Sequence, residues 1–249
     1  MANLLSVQGL TKRYPSFTLS DVSFALPAGR IMGLIGKNGA GKTTTLKCML
    51  NMVRADSGRT EMFGMDFIEN EAACKQKIGV VLGEMDFYKQ KNLASITAVT
   101  KRFYKEWDNT AYEKYLRAFS LDPQKRVKEL SSGMKVKYRL ALALSHQARL
   151  LILDEPTSGL DPVSRHDLLD LFRHLVQSGE RSILFSTHIT TDLEKCADDI
   201  AYIKDGKLIK AAEKTAFIDA FQYLKEPGEA APLSLDEIMI RMERVRYDL

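Results

Sequence analysis

Eight consecutive residues, Gly36-Lys37-Asn38-Gly39-Ala40-Gly41-Lys42-Thr43, satisfy the spacing GxxxxGK[ST] at every fixed position. A phosphate chain needs closely spaced N–H donors, and side chains would obstruct them. Gly36, Gly39 and Gly41 allow the backbone to curl so that its N–H groups face phosphate oxygens, while a following helix adds a favourable dipole. Lys42 supplies a point charge for the terminal phosphates, and the Thr43 hydroxyl reaches Mg²⁺. Lys37, Asn38, Ala40 and Thr44 complete the phosphate-binding set. A second feature is the acid pair Asp154-Glu155, which ends the apolar run 150–153, where α/β proteins collect ligand chemistry. Two acids after a strand are, by themselves, more often a surface turn.

The elements around these residues agree with such chemistry. Residues 31–35 form a short apolar run into the glycine loop and 42–52 read as a helix, the strand–loop–helix context that the motif requires. Residues 78–82, 150–153 and 182–185 read as buried core strands, with a helix over 163–177 between the last two. Residues 4–26 alternate apolar and polar stretches with a turn at Pro15-Ser16, which predicts antiparallel strands. Asp205-Gly206 between apolar runs predicts a two-residue hairpin. From Leu93 the period changes to helical, so 87–147 is expected to be a helical subdomain whose aromatics are packing residues. Ser234 and Glu237 form a capping box ahead of a last helix.

Composition narrows the function classes. The apolar fraction of 45% and charged fraction of 27% over 249 residues are those of an ordinary globular chain with a large core. A net charge of +4 suits an anionic ligand or a membrane-adjacent surface without indicating nucleic-acid binding. Cys48, Cys74 and Cys196 form no CxxC pair, so reduced thiols are expected and metal ligation is not. The first residues lack the apolar core of a signal peptide, and no apolar run approaches the roughly 20 residues that span a bilayer. A membrane role therefore calls for a separate chain.

Between the phosphate loop and the acid pair lies Leu130-Ser131-Ser132-Gly133-Met134, and the acids themselves open DEPTSGLD. Three motifs in this order, within residues 5–213, resemble the ATP-binding subunit of an ATP-binding cassette (ABC) transporter. The resemblance implies an α/β fold with a RecA-like P-loop NTPase core, an antiparallel β subdomain and an inserted α-helical subdomain. It divides the chain into an ATPase domain, 1–213, and a C-terminal helical tail, 214–249. ATP and Mg²⁺ are the implied ligands. On the family pattern, Asp154 holds Mg²⁺, Glu155 is the general base and His188 is the switch residue at the γ-phosphate; Asp161 lies at a dimer seam. Tyr14 takes the place of an aromatic that stacks on adenine. Ser131, Ser132 and Gly133 contact the ATP held by a second copy.

Two departures stand out. Ser132 and Met134 replace the glycine and glutamine of the usual LSGGQ signature, which puts the tightness and rate of dimer closure in question. Where relatives carry a glutamine after the strand at Ile78-Gly79, this chain reads VVLGEMDFY; either Glu84 serves as a Mg²⁺ or water ligand there, or the site has no direct ligand at that point. These departures, with SLDEIM near the end, resemble bacterial exporters of antimicrobial and cytolytic peptides that pair an ATPase chain with a separate membrane chain. The implied partners are a second copy in head-to-tail arrangement and a transmembrane subunit received near Phe87 and Tyr88, with no nucleic acid and no membrane span in this chain. The implied location is cytoplasmic, on the inner face of the cell membrane. The competing reading is a soluble ABC ATPase acting on DNA or ribosomes, whose inserts, second cassette or zinc motif this chain lacks.

Overall fold

The computed structural model describes residues 3–83, 88–229 and 231–244. The first strands are β1 (Asn3–Tyr14) and β2 (Phe17–Pro27), a hairpin closed at Pro15-Ser16 with Tyr14 opposite Phe17. β3 (Ile31–Ile35) leads through the glycine loop into α1 (Lys42–Met49). That helix stops short of the predicted residue 52 because Asn51 takes a left-handed φ of 53°. β4 (Ser57–Met62) and β5 (Met65–Asp66) extend the antiparallel part, and α2 (Glu71–Lys75) precedes β6 (Ile78–Val81). Next come α3 (Leu93–Thr100), α4 (Asn109–Ala118) and α5 (Ser132–Ser145). The chain then alternates β7 (Leu150–Asp154), α6 (Pro162–Val176), β8 (Ser182–Thr187), α7 (Thr190–Cys196) and β9 (Asp199–Lys204). β10 (Lys207–Glu213), α8 (Lys214–Ala220) and α9 (Leu235–Glu243) follow.

Among the described residues the strands form one sheet ordered β5-β4-β1-β2-β10-β9-β3-β8-β7-β6. The segment from β3 and β9 to β6 is parallel, and the β1, β2, β4 and β5 end is antiparallel, so an α/β core and an antiparallel subdomain share one sheet. Successive side chains of a strand point to opposite faces. On β3, Ile31 and Ile35 join one hydrophobic cluster with Phe172 of α6 and Leu193 of α7, while Met32 and Leu34 join another with Leu46 and Met49 of α1. Both faces are covered, as the near-continuous apolar runs of the parallel strands require.

Helices α3 to α5 lie between β6 and β7, which pair side by side, and they have a core of their own built on Leu93, Tyr112, Leu116, Val127, Leu130 and Tyr138. The Thr97 hydroxyl meets those of Tyr112 and Tyr138 at 2.7 and 2.9 Å, and Tyr138 also donates to the Leu93 carbonyl at 3.1 Å, which joins the three helices. The helical period that begins at Leu93 is interrupted: α3 passes into a 3₁₀ turn at Lys101–Phe103 and Tyr104 is extended. α5 returns to the sheet so closely that a Cβ on Gly79 would collide with Ala143 and Leu151. Phe217 and Phe221, in and just after α8, with Leu235 and Ile238 of α9, pack into the cluster that holds Ile200 and Tyr202 of β9. The Ser234–Glu237 capping box starts α9 as predicted.

His146, just after α5, stacks on Tyr104 with ring centroids 3.7 Å apart, and its Nδ1 lies 3.2 Å from the Gln76 carbonyl. Burial lowers its pKa to about 4. The unfolded chain therefore binds a proton below about pH 6.5 that the folded chain refuses until about pH 4, and stability falls as pH drops through that window. From pH 6.5 to 5 this group should remove about 1.5 kcal/mol. Urea unfolding at the two pH values should show that loss in the parent and a smaller one in His146→Phe; equal losses would contradict it.

Candidate functional site

The glycine loop sits at the carboxyl end of β3, with α1 starting from Gly41 in a left-handed conformation, φ 113°. No side chain caps the start of α1 and no acid lies in its first turn, so its leading N–H groups are open to an anion. A Cβ on Gly41 would press on Phe17 and Leu19 at 3.0 and 3.1 Å, and one on Gly36 would strike the Ile203 carbonyl, so bulkier residues would deform the loop. Behind it, the Asp205-Gly206 turn between β9 and β10 donates from the Gly206 N–H to the Ala40 carbonyl at 2.9 Å. A pocket of about 220 Å³ is lined by Phe17, Lys37 to Gly39, Gly41 to Thr44 and Glu155. Gly36 and Ala40 shape the turn without lining it.

An ammonium has three donors. Lys42, 5% exposed, places its Nζ 2.7 Å from the Gly36 carbonyl, 3.2 Å from that of Lys37 and 3.2 Å from Glu155 Oε1. The other Glu155 oxygen lies 2.8 Å from His188 Nδ1, so one carboxylate stands between the buried lysine and the histidine at the end of β8. With the carboxylate ionised, Nδ1 carries the proton and donates it to that bond. Glu155 follows β7 with a φ of 49°, an uncommon conformation for a residue with a Cβ and one found at functional sites.

Asp154 accepts two hydroxyls, Thr43 Oγ1 at 2.8 Å and Ser186 Oγ at 2.5 Å; Ser186 also accepts from the Glu155 N–H at 2.9 Å. The Thr43 and Asp154 oxygens are hard donors suited to Mg²⁺. Among the described residues no cluster of three or more His, Cys, Asp or Glu could hold a metal. The donor set thus fits an ion that takes its other ligands from phosphate and water.

A buried network supports these groups from beneath. Asp192, fully buried on α7, accepts from Thr157 at 2.6 Å, from Arg165 at 2.5 Å and from Thr187 at 3.4 Å. It ties the PTSGLD loop to the strand end that carries His188. Asp161 caps α6 through the Val163 and Ser164 N–H groups, and hydrogen bonds from Ser164 hold its carboxyl below the usual range.

The remaining expected residues fall as follows. Ser131 is the N-cap of α5 and accepts from the Met134 N–H, while Ser132 donates to the Gly159 carbonyl at 3.1 Å and Gly133 faces Leu160. None of Ser131 to Gly133 lines the glycine-loop pocket. Tyr14 is 40% exposed beside Lys12 and does not line it either; its cross-strand partner Phe17 does. The Lys37 side chain turns to α9, where it meets the Glu243 carbonyl at 2.6 Å and carboxylate at 3.3 Å, and Tyr202 donates to the same carboxylate at 2.7 Å. Glu84 and Phe87 lie outside the described residues.

This combination of glycine loop, strand-end acids and strand-end histidine on a parallel sheet defines a P-loop nucleotide triphosphatase. The family model for the ABC transporter matches residues 19–158. The bacitracin transport ATP-binding protein BcrA of Bacillus licheniformis is 32% identical over 213 residues, which cover 84% of this chain and 70% of that protein. The lantibiotic transport ATP-binding protein SrtF of Streptococcus pyogenes is 32% identical over 84% of this chain and 91% of its own. A solved ATP-binding subunit of an ABC transporter superposes with a TM-score of 0.83 at 26% identity, over 97% of this chain and all of that one. The chain belongs to the ABC transporter family as an ATP-binding, ATP-hydrolysing subunit. Among the described residues no helix is long and apolar enough to cross a membrane.

Ser186 escaped the sequence reading and joins both acids. Ser186→Ala leaves the Glu155 N–H and one Asp154 oxygen without this partner and should cost about 1–3 kcal/mol in chemical denaturation. An unchanged denaturation midpoint would show that the two bonds contribute nothing.

Proposed function

We propose that this chain powers export of a peptide or other amphipathic compound through a separate membrane subunit, with Glu155 as the base that activates water at ATP. The observation that carries the chemistry is the bridge of Glu155 between Lys42 and His188 in the lining of the phosphate pocket. Phosphate oxygens entering the glycine loop compete with Glu155 for Lys42, because the two carbonyls already occupy its other donors. Glu155 is then free to take a proton from the attacking water, while His188 orients the carboxylate. Thr43 and Asp154 are the residues to hold Mg²⁺, which when bound neutralises charge on the phosphate oxygens. The hairpin tip with Tyr14 and Phe17 offers an aromatic surface for the base, Phe17 nearer the loop.

The serine loop lines no part of this chain's own phosphate pocket, which supports its use on the nucleotide of a second, head-to-tail copy. ATP that binds the closed pair preferentially shifts the population to it, and hydrolysis removes the preference. Peptide export is favoured by the likeness to the bacitracin and lantibiotic transport proteins. A location on the cytoplasmic face of the membrane follows from that reading.

Glu155→Gln should lower turnover by about two to four orders of magnitude while ATP binding persists and dimers accumulate with ATP. Near-normal phosphate release would refute the base assignment.

The membrane subunit is assigned to a groove of about 570 Å³ lined by Tyr88, Ile96, Val99, Phe103 and Tyr104. Tyr88, Val99 and Phe103 are 65%, 56% and 70% exposed, a cluster of apolar side chains that water disfavours. Paired Tyr88→Ala and Phe103→Ala substitutions should abolish stimulation of ATPase by the membrane subunit and leave basal turnover within about two-fold. Stimulation equal to the parent's would exclude this groove.

A further inference from the structure

Arg139 lies on α5, two turns beyond the serine loop, and reaches back to the end of β6. Its Nη1 donates to the Gly83 carbonyl at 2.7 Å and to the Leu82 carbonyl at 3.3 Å. Gly83 turns there with a φ of 57°, and the neighbouring pair Val81 and Leu153 puts this corner beside the end of β7, from which Asp154 and Glu155 emerge. One cavity of about 240 Å³ is lined by Val81, Gly83, Ser132, Arg139, Asp154 and Glu155. The guanidinium therefore joins the helix of the serine loop to the Leu82-Gly83 corner, in the wall of a cavity that the acids also line.

Its bonding is unusual for a structural arginine. Among the described residues it has no ion-pair partner, and its Nη2 is buried without a hydrogen bond. Burial lowers its pKa, as expected for a charge set against neutral carbonyls. An apolar side chain of similar length would fill the same space without stranding a donor. Local rules are broken in this way mostly where a site needs the group for something other than stability.

We propose that Arg139 is a positioning residue for ATP hydrolysis, holding the Leu82-Gly83 corner and the serine-loop helix in fixed relation across the cavity that contains Asp154 and Glu155. This rests on the reading of Glu155 as the base. Arg139 lines no part of the glycine-loop pocket, so its loss disturbs the alignment of the acids and leaves nucleotide capture intact. Bodily movement of α5 carries the corner with it, so the state of the serine loop is felt at Glu155.

The test compares Arg139→Met, Arg139→Lys and Glu155→Gln in the full chain, by steady-state ATPase, equilibrium binding of Mg·ATP and thermal unfolding. Arg139→Met keeps the packed stem and removes the donors. It should unfold no earlier than the parent, bind Mg·ATP within about two-fold and lose kcat by about ten-fold or more. Arg139→Lys, which can still donate to one carbonyl, should recover at least about a third of the parent kcat. The proposal is overturned by a Met variant with parent kcat, by a Met variant whose loss follows lowered stability or weakened ATP binding, or by a Lys variant no better than Met. Full turnover in Glu155→Gln would instead overturn the base assignment and this proposal with it. An inactive Glu155→Gln beside a fully active Arg139→Met removes the Arg139 proposal alone.

Discussion

The site depends on how one buried ammonium is satisfied. Lys42 sits in a nearly closed environment, where a positive charge is costly unless each of its donors finds an acceptor. Two of those acceptors are carbonyls of the glycine loop, and they fix the direction of the side chain. The third partner is Glu155, whose carboxylate forms an ion pair with the ammonium at 3.2 Å and also bonds His188. In the proposed mechanism, exchange of that third partner for a phosphate oxygen links occupation of the loop to release of the carboxylate. On that proposal, one event both secures the nucleotide and arms the residue beside it.

The fold supplies the distances this exchange requires. Parallel pairing of β3, β8 and β7 brings the glycine loop, His188 and the acid pair to the same edge of the sheet. Asp192 and Ser186 then stiffen that edge from within, since each joins groups that are distant in sequence by a short hydrogen bond in a buried setting. The helical subdomain enters between two adjacent strands and has its own core, while α5, which starts at the serine loop, also packs Leu140, Ala143 and Leu144 into the cluster under the sheet. α9 closes the far side of the glycine loop through Lys37 and Glu243.

Much of this was legible because some local constraints admit few solutions. The spacing of Gly36, Gly39 and Gly41 states a backbone path, and Asp205-Gly206 states a hairpin whose positive φ values at both residues match its type. The acid pair after an apolar strand and the capping box at Ser234 were readable for the same reason. Residues that act through distant partners were not. Ser186 and Asp192 carry no local signal of a role; the topology sets them under the acids and the PTSGLD loop. Lys37 lines the glycine-loop pocket as its place in the motif implies, but nothing local announces the contact of its side chain with Glu243, 206 residues onward. Phe17 had a usable signal, since a turn at Pro15-Ser16 makes it the cross-strand partner of Tyr14. Arg139 had none, being one basic residue among several on an amphipathic helix.

The most direct measurement is a crystal structure of the chain with Mg²⁺ and a non-hydrolysable ATP analogue. The account predicts Lys42 Nζ on phosphate oxygens, with Glu155 parted from it and still bonded to His188. Lys42 found paired with Glu155 while the phosphates lie elsewhere would contradict the exchange on which the mechanism is built.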